Sequence, residues 1–268
     1  MAVPTLATLP DRDLLGAEWI KFRSVRSSYL TVLVVAGVML LLAGVFSDSL
    51  KNWDHLSAMD RARFDPVRSS LQIAVPLAEA AFGVLGVLAF SSEYGTGLIH
   101  ATFAATPARR RVLAAKAAIV GGIALVVGQF LVLATFLVGQ AALSAKRAGV
   151  GAGLGDPHVL RALTGCGLLI GTVAMIGIAL GSMLRSSAGA ISALFGLVFA
   201  ADSVGDMLST WSEEPARWAL NNIFTTLVQT HRPPESFQPT VTMAFVECAV
   251  YIAVFLALAA TLITRRDT

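Results

Sequence analysis

The residues with the most chemistry in them lie between positions 91 and 111. Ser92-Glu93-Tyr94-Gly95-Thr96-Gly97-Leu98-Ile99 runs on through His100, Thr102, Phe103 and Pro107 to the triplet Arg109-Arg110-Arg111. Gly95 and Gly97 permit a sharp turn. Leu98–Ala105 then has room for two helical turns, with Leu98, Thr102 and Ala105 on one side and Ile99 and Phe103 beside them, until Pro107 stops it. A short apolar helix outside a bilayer has nothing of its own to bury against, so the segment predicts a docking site, with Glu93, Tyr94 and the arginines around it. The arginines also serve to fix topology. Other chemistries find no support. No Gly-Lys dipeptide occurs in the chain, so no phosphate-binding loop can end in Gly-Lys-Ser/Thr. His55, His100, His158 and His231 are scattered and suggest no metal site. Ser91 and Ser182 lack a base partner that would make either a nucleophile. Cys166 and Cys248 fall inside apolar runs and read as small packing residues. The chain is therefore expected to be no enzyme by itself, with no catalytic residue, metal or cofactor of its own.

The elements that position this segment follow from the solvent. Apolar residues make up 56% of the 268 residues and charged ones 14%, with a mean hydropathy of +0.73. A soluble domain carries about 25% charge, so these charges are too few to cover a globule. Crossing about 30 Å of hydrocarbon takes about 20 apolar helical residues. Six windows qualify, at 29–46, 71–91, 112–143, 160–184, 187–208 and 244–263. The fold expected is all-α: a cytoplasmic lead with an interfacial helix over 1–28, then a six-helix transmembrane domain over 29–268. The third window is too long for one upright crossing and must tilt or project. Arg185-Ser186-Ser187 is the only polar break between the fourth and fifth, which makes them antiparallel neighbours. The first apolar run is too long for the core of a cleaved signal peptide, about 7–15 residues, and reads as a retained span. With the N-terminus inside, the inner segments net +6 and the outer ones −1, so both termini are expected to be cytoplasmic.

Several further positions qualify this layout. Leu15, Trp19, Phe22, Val25 and Tyr29 recur at helical spacing before the first span and predict an interfacial helix, apolar face down, with Lys21 and Arg23 off that stripe. Glu18, Ile20 and Arg26 blur the pattern. Gly167-x-x-x-Gly171 and Gly177-x-x-x-Gly181 are spaced for close helix approach, either inside the bundle or at a dimer seam. Glu79 and Glu247 lie within spans, where ionisable groups invite a functional reading. Glu79 is a candidate path or gating residue with Phe82, Phe195 and Phe199, or else an interhelical hydrogen-bonding group; Glu247 is expected to reach the outer interface. The proline-rich 209–243 reads as an outer loop, with an interfacial or re-entrant helix over Ala219–Val228. The two halves show no repeat of the kind many secondary carriers contain.

The lead Glu18-Trp19-Ile20-Lys21-Phe22-Arg23, the segment 91–99, Pro107 with its arginines, and Ala114-Ala115-Lys116 opening the third span together resemble the membrane subunit of type-2 ATP-binding-cassette exporters. The later spans match only in layout. The resemblance implies that Leu98–Ala105 is a coupling helix docking on an ATPase subunit, with Glu93, Tyr94, Gly95, Gly97, Leu98, Ile99, Thr102, Phe103, Arg109, Arg110 and Arg111 in or beside the contact. It implies two membrane subunits, alike or related, with ATP and magnesium held by the partner ATPases. The substrate class implied is broad: a drug, lipid, peptide or glycan moved out through a bacterial cell membrane. Membrane lipids are the other expected partner, and nucleic acid is not one. Two other readings stand beside it, a scaffold or sensor recruiting a cytoplasmic partner through 93–111, and an independent carrier.

Overall fold

The computed structural model describes residues 11–46, 57–146, 149, 151–200, 219–230 and 239–265. Every regular element among them is helical: α1 (Asp11–Ser24), α2 (Arg26–Phe46), α3 (Ala58–Arg63), α4 (Pro66–Leu71), α5 (Ala74–Thr96), α6 (Leu98–Ala105), α7 (Arg109–Lys116), α8 (Gly122–Lys146), α9 (Pro157–Leu184), α10 (Ser187–Phe195), α11 (Leu220–Val228) and α12 (Val241–Arg265). A π-helical turn, Ala117–Gly121, joins α7 to α8, and another, Gly196–Ala200, continues α10.

Five described segments are long and apolar enough to cross a membrane: Arg26–Val45, Ala74–Thr96, Arg109–Ala145, Pro157–Leu184 and Val241–Arg265. The chain is a polytopic all-α membrane protein. The third of these has 37 residues, because α7, the π turn and α8 run on as one rod. The expected fifth window, 187–208, is described only to Ala200, and its apolar helix Ser187–Phe199 is shorter than a full crossing.

α9 is the axis of the bundle, with 83% of its apolar window buried, against 22% for α2 and α12. It lies against α5, α8 and α12. Small residues bring the central pair together: a Cβ on Gly177 would collide with the Gly83 carbonyl of α5, and one on Gly181 with that of Val87. Gly167 and Gly171 stand against Gln129 and Leu125 of α8. Both glycine pairs thus serve contacts within the chain. Helix α11, inside the expected outer loop, packs Leu220, Ile223 and Leu227 into the main apolar cluster beside α9. A second apolar cluster at one end, here the base, joins Phe90, Ile99, Phe103, Leu113, Ile178 and Ile263, with Phe22 against it.

Glu79 and Glu247 are both enclosed, at 3% and 4% exposure. Glu247 does not reach an outer surface as expected, because its face of α12 turns inward with Ala244 and Cys248. Phe82 is enclosed at 2%, whereas Phe195 of α10 and Phe199 of the π turn that continues it stand 5.4 Å apart, tilted to one another and exposed at 41% and 43%. Among the described residues, two of the four expected path residues are thus enclosed and two face outward.

Candidate functional site

The site forms where α5 outlasts the hydrophobic stretch and must turn back. Gly97 ends α5 in the left-handed region (φ 74°) and begins α6 at the same residue, its N–H donating to the Tyr94 carbonyl at 3.3 Å. A side chain there would be strained, so glycine is what allows so short a corner. Thr106 N–H closes α6 on the Thr102 carbonyl at 2.9 Å, and Pro107 prevents its continuation. Eight residues of helix are thereby pinned across the base.

Four charges meet beneath this corner. Lys116 Nζ donates to Glu18 Oε2 and to Glu93 Oε1, each at 2.7 Å. Lys21 Nζ donates to Glu18 Oε1 at 2.9 Å and Glu93 Oε1 at 3.0 Å. Two ammonium groups and two carboxylates close a neutral ring that joins α1, α5 and α7. Helix α6 joins through Thr102, whose hydroxyl accepts from Lys21 at 3.3 Å and lies 3.5 Å from Glu93 Oε2. Lys116, Glu18 and Glu93 are 2%, 5% and 7% exposed, while the Lys21 side chain stays 43% open. The Phe90 ring stands 5.4 Å from Lys116 Nζ. Charges this deeply buried persist only when paired, and here each carboxylate is held from two helices. Burial works to lower the Lys21 amine, but the hydrogen bonds and charges of Glu18 and Glu93 outweigh it and raise its pKa above 10.5.

Around this ring the base is tied further. Arg109 Nη1 donates to the Ile263 carbonyl near the end of α12 at 3.2 Å, and its guanidinium lies 5.1 Å over the Phe103 ring. Arg185, in the turn between α9 and α10, stands 5.4 Å over Tyr94, and Ser187 Oγ donates to Ser91 Oγ at 2.8 Å. Two expectations need correction. Ile99 and Phe103 were expected in or beside the contact with a partner, but at 1% and 8% exposure they are packed inside the chain's own base cluster. The face that α6 leaves open carries Leu98, 59% exposed, with His100, Ala101, Ala104 and Ala105. Lys21, placed off the apolar stripe of the expected interfacial helix, turns inward to the ring. The buried face of α1 is Leu14 and Glu18, and Trp19, Val25 and Tyr29 of the apolar stripe stand outside at 46–48%. Sequence reasoning assigned Glu93 and Thr102 to the site but missed Glu18 and Lys116 as members. Their signals were present: Glu18 interrupts an apolar stripe, and Lys116 is a lone charge at the head of a span.

Searched against protein-family models, the chain matches none, and no curated protein matches it.

Proposed function

We propose that the chain is the membrane-spanning subunit of an ATP-driven exporter, with α6 as the surface on which a separate ATPase acts. The observation that supports this reading is the division of labour on α6. One face is anchored by Ile99 and Phe103, Thr102 touches the ionic ring, and Leu98 with three alanines is left open. A push on the open face is passed at once to α1, α5 and α7, and so to three segments that continue into the membrane. In this reading there are six spans, the fifth of them built on α10; the base is cytoplasmic, as are both termini; and the membrane subunits work as a pair. The substrate is hydrophobic or amphipathic.

The test is co-purification with an ATPase subunit of this class and measurement of substrate-stimulated hydrolysis. Leu98→Glu should reduce recovery of the ATPase about ten-fold or more, the order of one buried leucine lost, and leave the thermal unfolding midpoint of the membrane subunit unchanged. Phe103→Ala should do the reverse first, lowering that midpoint even without a partner, by the equivalent of about 3 kcal/mol. Equal ATPase recovery by wild type and Leu98→Glu would sink the docking role. A partner recovered through Leu98 without stimulated hydrolysis or transport would point instead to a recruiting scaffold.

A further inference from the structure

Helix α9 ends in a conformation that arginine does not favour. Among the described residues Arg185 is the one non-glycine residue in the left-handed region, at φ 55°, where it closes α9 and opens the turn into α10. Glycine takes this conformation without steric cost and is the usual residue at such a helix end, as Gly97 is at the end of α5. Any other residue stays there only where its surroundings hold it. The hold available to Arg185 is through its side chain, whose guanidinium stands 5.4 Å over the Tyr94 ring of α5. Tyr94 stacks on Phe90 at 6.3 Å, and Phe90 stands 5.4 Å from Lys116 Nζ. Contacts therefore run from the ionic ring through two aromatic rings to the turn. Ser91 and Tyr94 lie three residues apart, on one side of α5, and both reach this turn, because Ser187 at the start of α10 donates to Ser91 Oγ at 2.8 Å. The backbone of Tyr94 is committed as well: its carbonyl accepts the Gly97 N–H at the corner into α6. Tyr94 thus belongs to the α6 corner by its backbone and to the α9–α10 turn by its ring.

We propose that Arg185 is a positioning residue of the docking site: its grip on Tyr94 makes the α9–α10 turn follow the end of α5, so that a push on α6 reaches α10 as well as α1, α5 and α7. The ring of charges joins α1, α5 and α7, and this contact carries the same joint across to the next pair of helices. A planar guanidinium suits the task, because it stacks on an aromatic face while remaining charged. Glycine would relax the backbone of the turn but would let go of α5. What is transmitted rests on the transport reading; the grip itself does not.

The grip is tested on the full chain without a partner, by amide exchange. Tyr94→Leu should speed exchange at 186–190 about five-fold, the order of one cation–π contact, and should add nothing further in an Arg185→Gly background. Unchanged exchange in Tyr94→Leu, or equal acceleration in both backgrounds, would overturn the grip. Arg185→Gly should not lower the unfolding midpoint, because relief of the left-handed backbone offsets the lost contact; a lowered midpoint would reduce Arg185 to a structural cap. Transmission is tested on the complex with the ATPase, trapped with magnesium ATP and vanadate. Trapping should change exchange in wild type both at 74–96 and at 187–195. In Arg185→Gly, ATPase recovery and the change at 74–96 should stay within about two-fold of wild type, while the change at 187–195 shrinks about five-fold. An undiminished change at 187–195, or none there in wild type, would overturn the transmission. Failure of the docking reading shows separately, as equal ATPase recovery by wild type and Leu98→Glu, and removes the transmission whatever the exchange at the turn.

Discussion

The two ends of the bundle are fastened by different chemistry. At the base, whole charges from α1, α5 and α7 close on one another across 98 and 23 residues of sequence. At the opposite end the fastening is by a helix cap and individual hydrogen bonds, several of them between residues 68 to 165 positions apart. Asp65 caps α4 by accepting from Val67 and Arg68 N–H at 2.9 and 3.1 Å, then takes Thr230 N–H and hydroxyl on its second oxygen at 2.7 and 2.9 Å. Gln140 spans the Pro66 carbonyl and the Ala152 N–H at 3.0 and 2.7 Å, and Arg161 donates to the Gln229 carbonyl. A cap or an amide bridge can be lost with modest effect, because water or a neighbour replaces one hydrogen bond. Three of the ring's four charges are buried, and it cannot lose the buried lysine without leaving both carboxylates undercompensated. The base is therefore the all-or-none joint, and the far end is a set of separable stitches.

The sharpest way to break this contrast is Lys116→Met. It leaves Glu18 and Glu93 facing each other with only the half-open Lys21 between them, and should cost about 3–5 kcal/mol, read as a lowered unfolding midpoint in detergent. Adding Glu93→Gln should recover part of that loss; a double variant no better than the single would mean that the ring is not the source of the effect. At the far end Asp65→Ala should cost about 1–2 kcal/mol, the range of a lost cap, with faster amide exchange confined to residues 66–71 and 219–230. Exchange that instead rises through α5 and α9 would erase the difference between the ends. The smallest effect is expected from Lys21→Met, at most about 1 kcal/mol, because its ammonium remains partly in water. The folded pKa of Lys21 lies above 10.5, so its contribution is complete below that value and is lost as pH rises through the folded one. The cost of Lys21→Met should accordingly be the same at about pH 6 and 9 and vanish only in stronger alkali; a cost that changes between those two values would assign the titration to another group.

Much of the scaffold was legible because lipid demands it. Apolar length alone revealed the runs that became α2, α5, α8, α9 and α12, and Gly97 and Pro107 marked both ends of α6 by backbone rules that need no neighbours. The orientation of α6 was not legible. Leu98, Ile99 and Phe103 are all apolar, and which of them turns inward is decided by the remote Val112, Leu113 and Ile263. The ring was hidden for a similar reason. Glu18 and Lys116 are single charges 98 positions apart, and nothing in local pattern says that they meet. Glu79 and Glu247 stood out as charges in spans, yet their degree of enclosure depends on how α5, α9 and α12 pack.

The π turn Ala117–Gly121 has a consequence for chain length. Each residue of an α-helix advances the face by about 100°, and a π turn accommodates one extra residue, so the third membrane segment has its two parts out of phase by one step. The residue before the turn and the last residue of the turn are both closely held. Lys116 is locked in the ring, and a Cβ on Gly121 would come within 2.6 Å of the Met175 sulfur on α9. The chain should accordingly accept exchanges at the exposed Ala118 but not its deletion. Removing that residue restores ordinary pitch, swings Lys116 off Glu18 and Glu93, and makes a subsequent Lys116→Met nearly silent in the unfolding measurement, whereas an undiminished cost would mean that the helix had absorbed the deletion elsewhere.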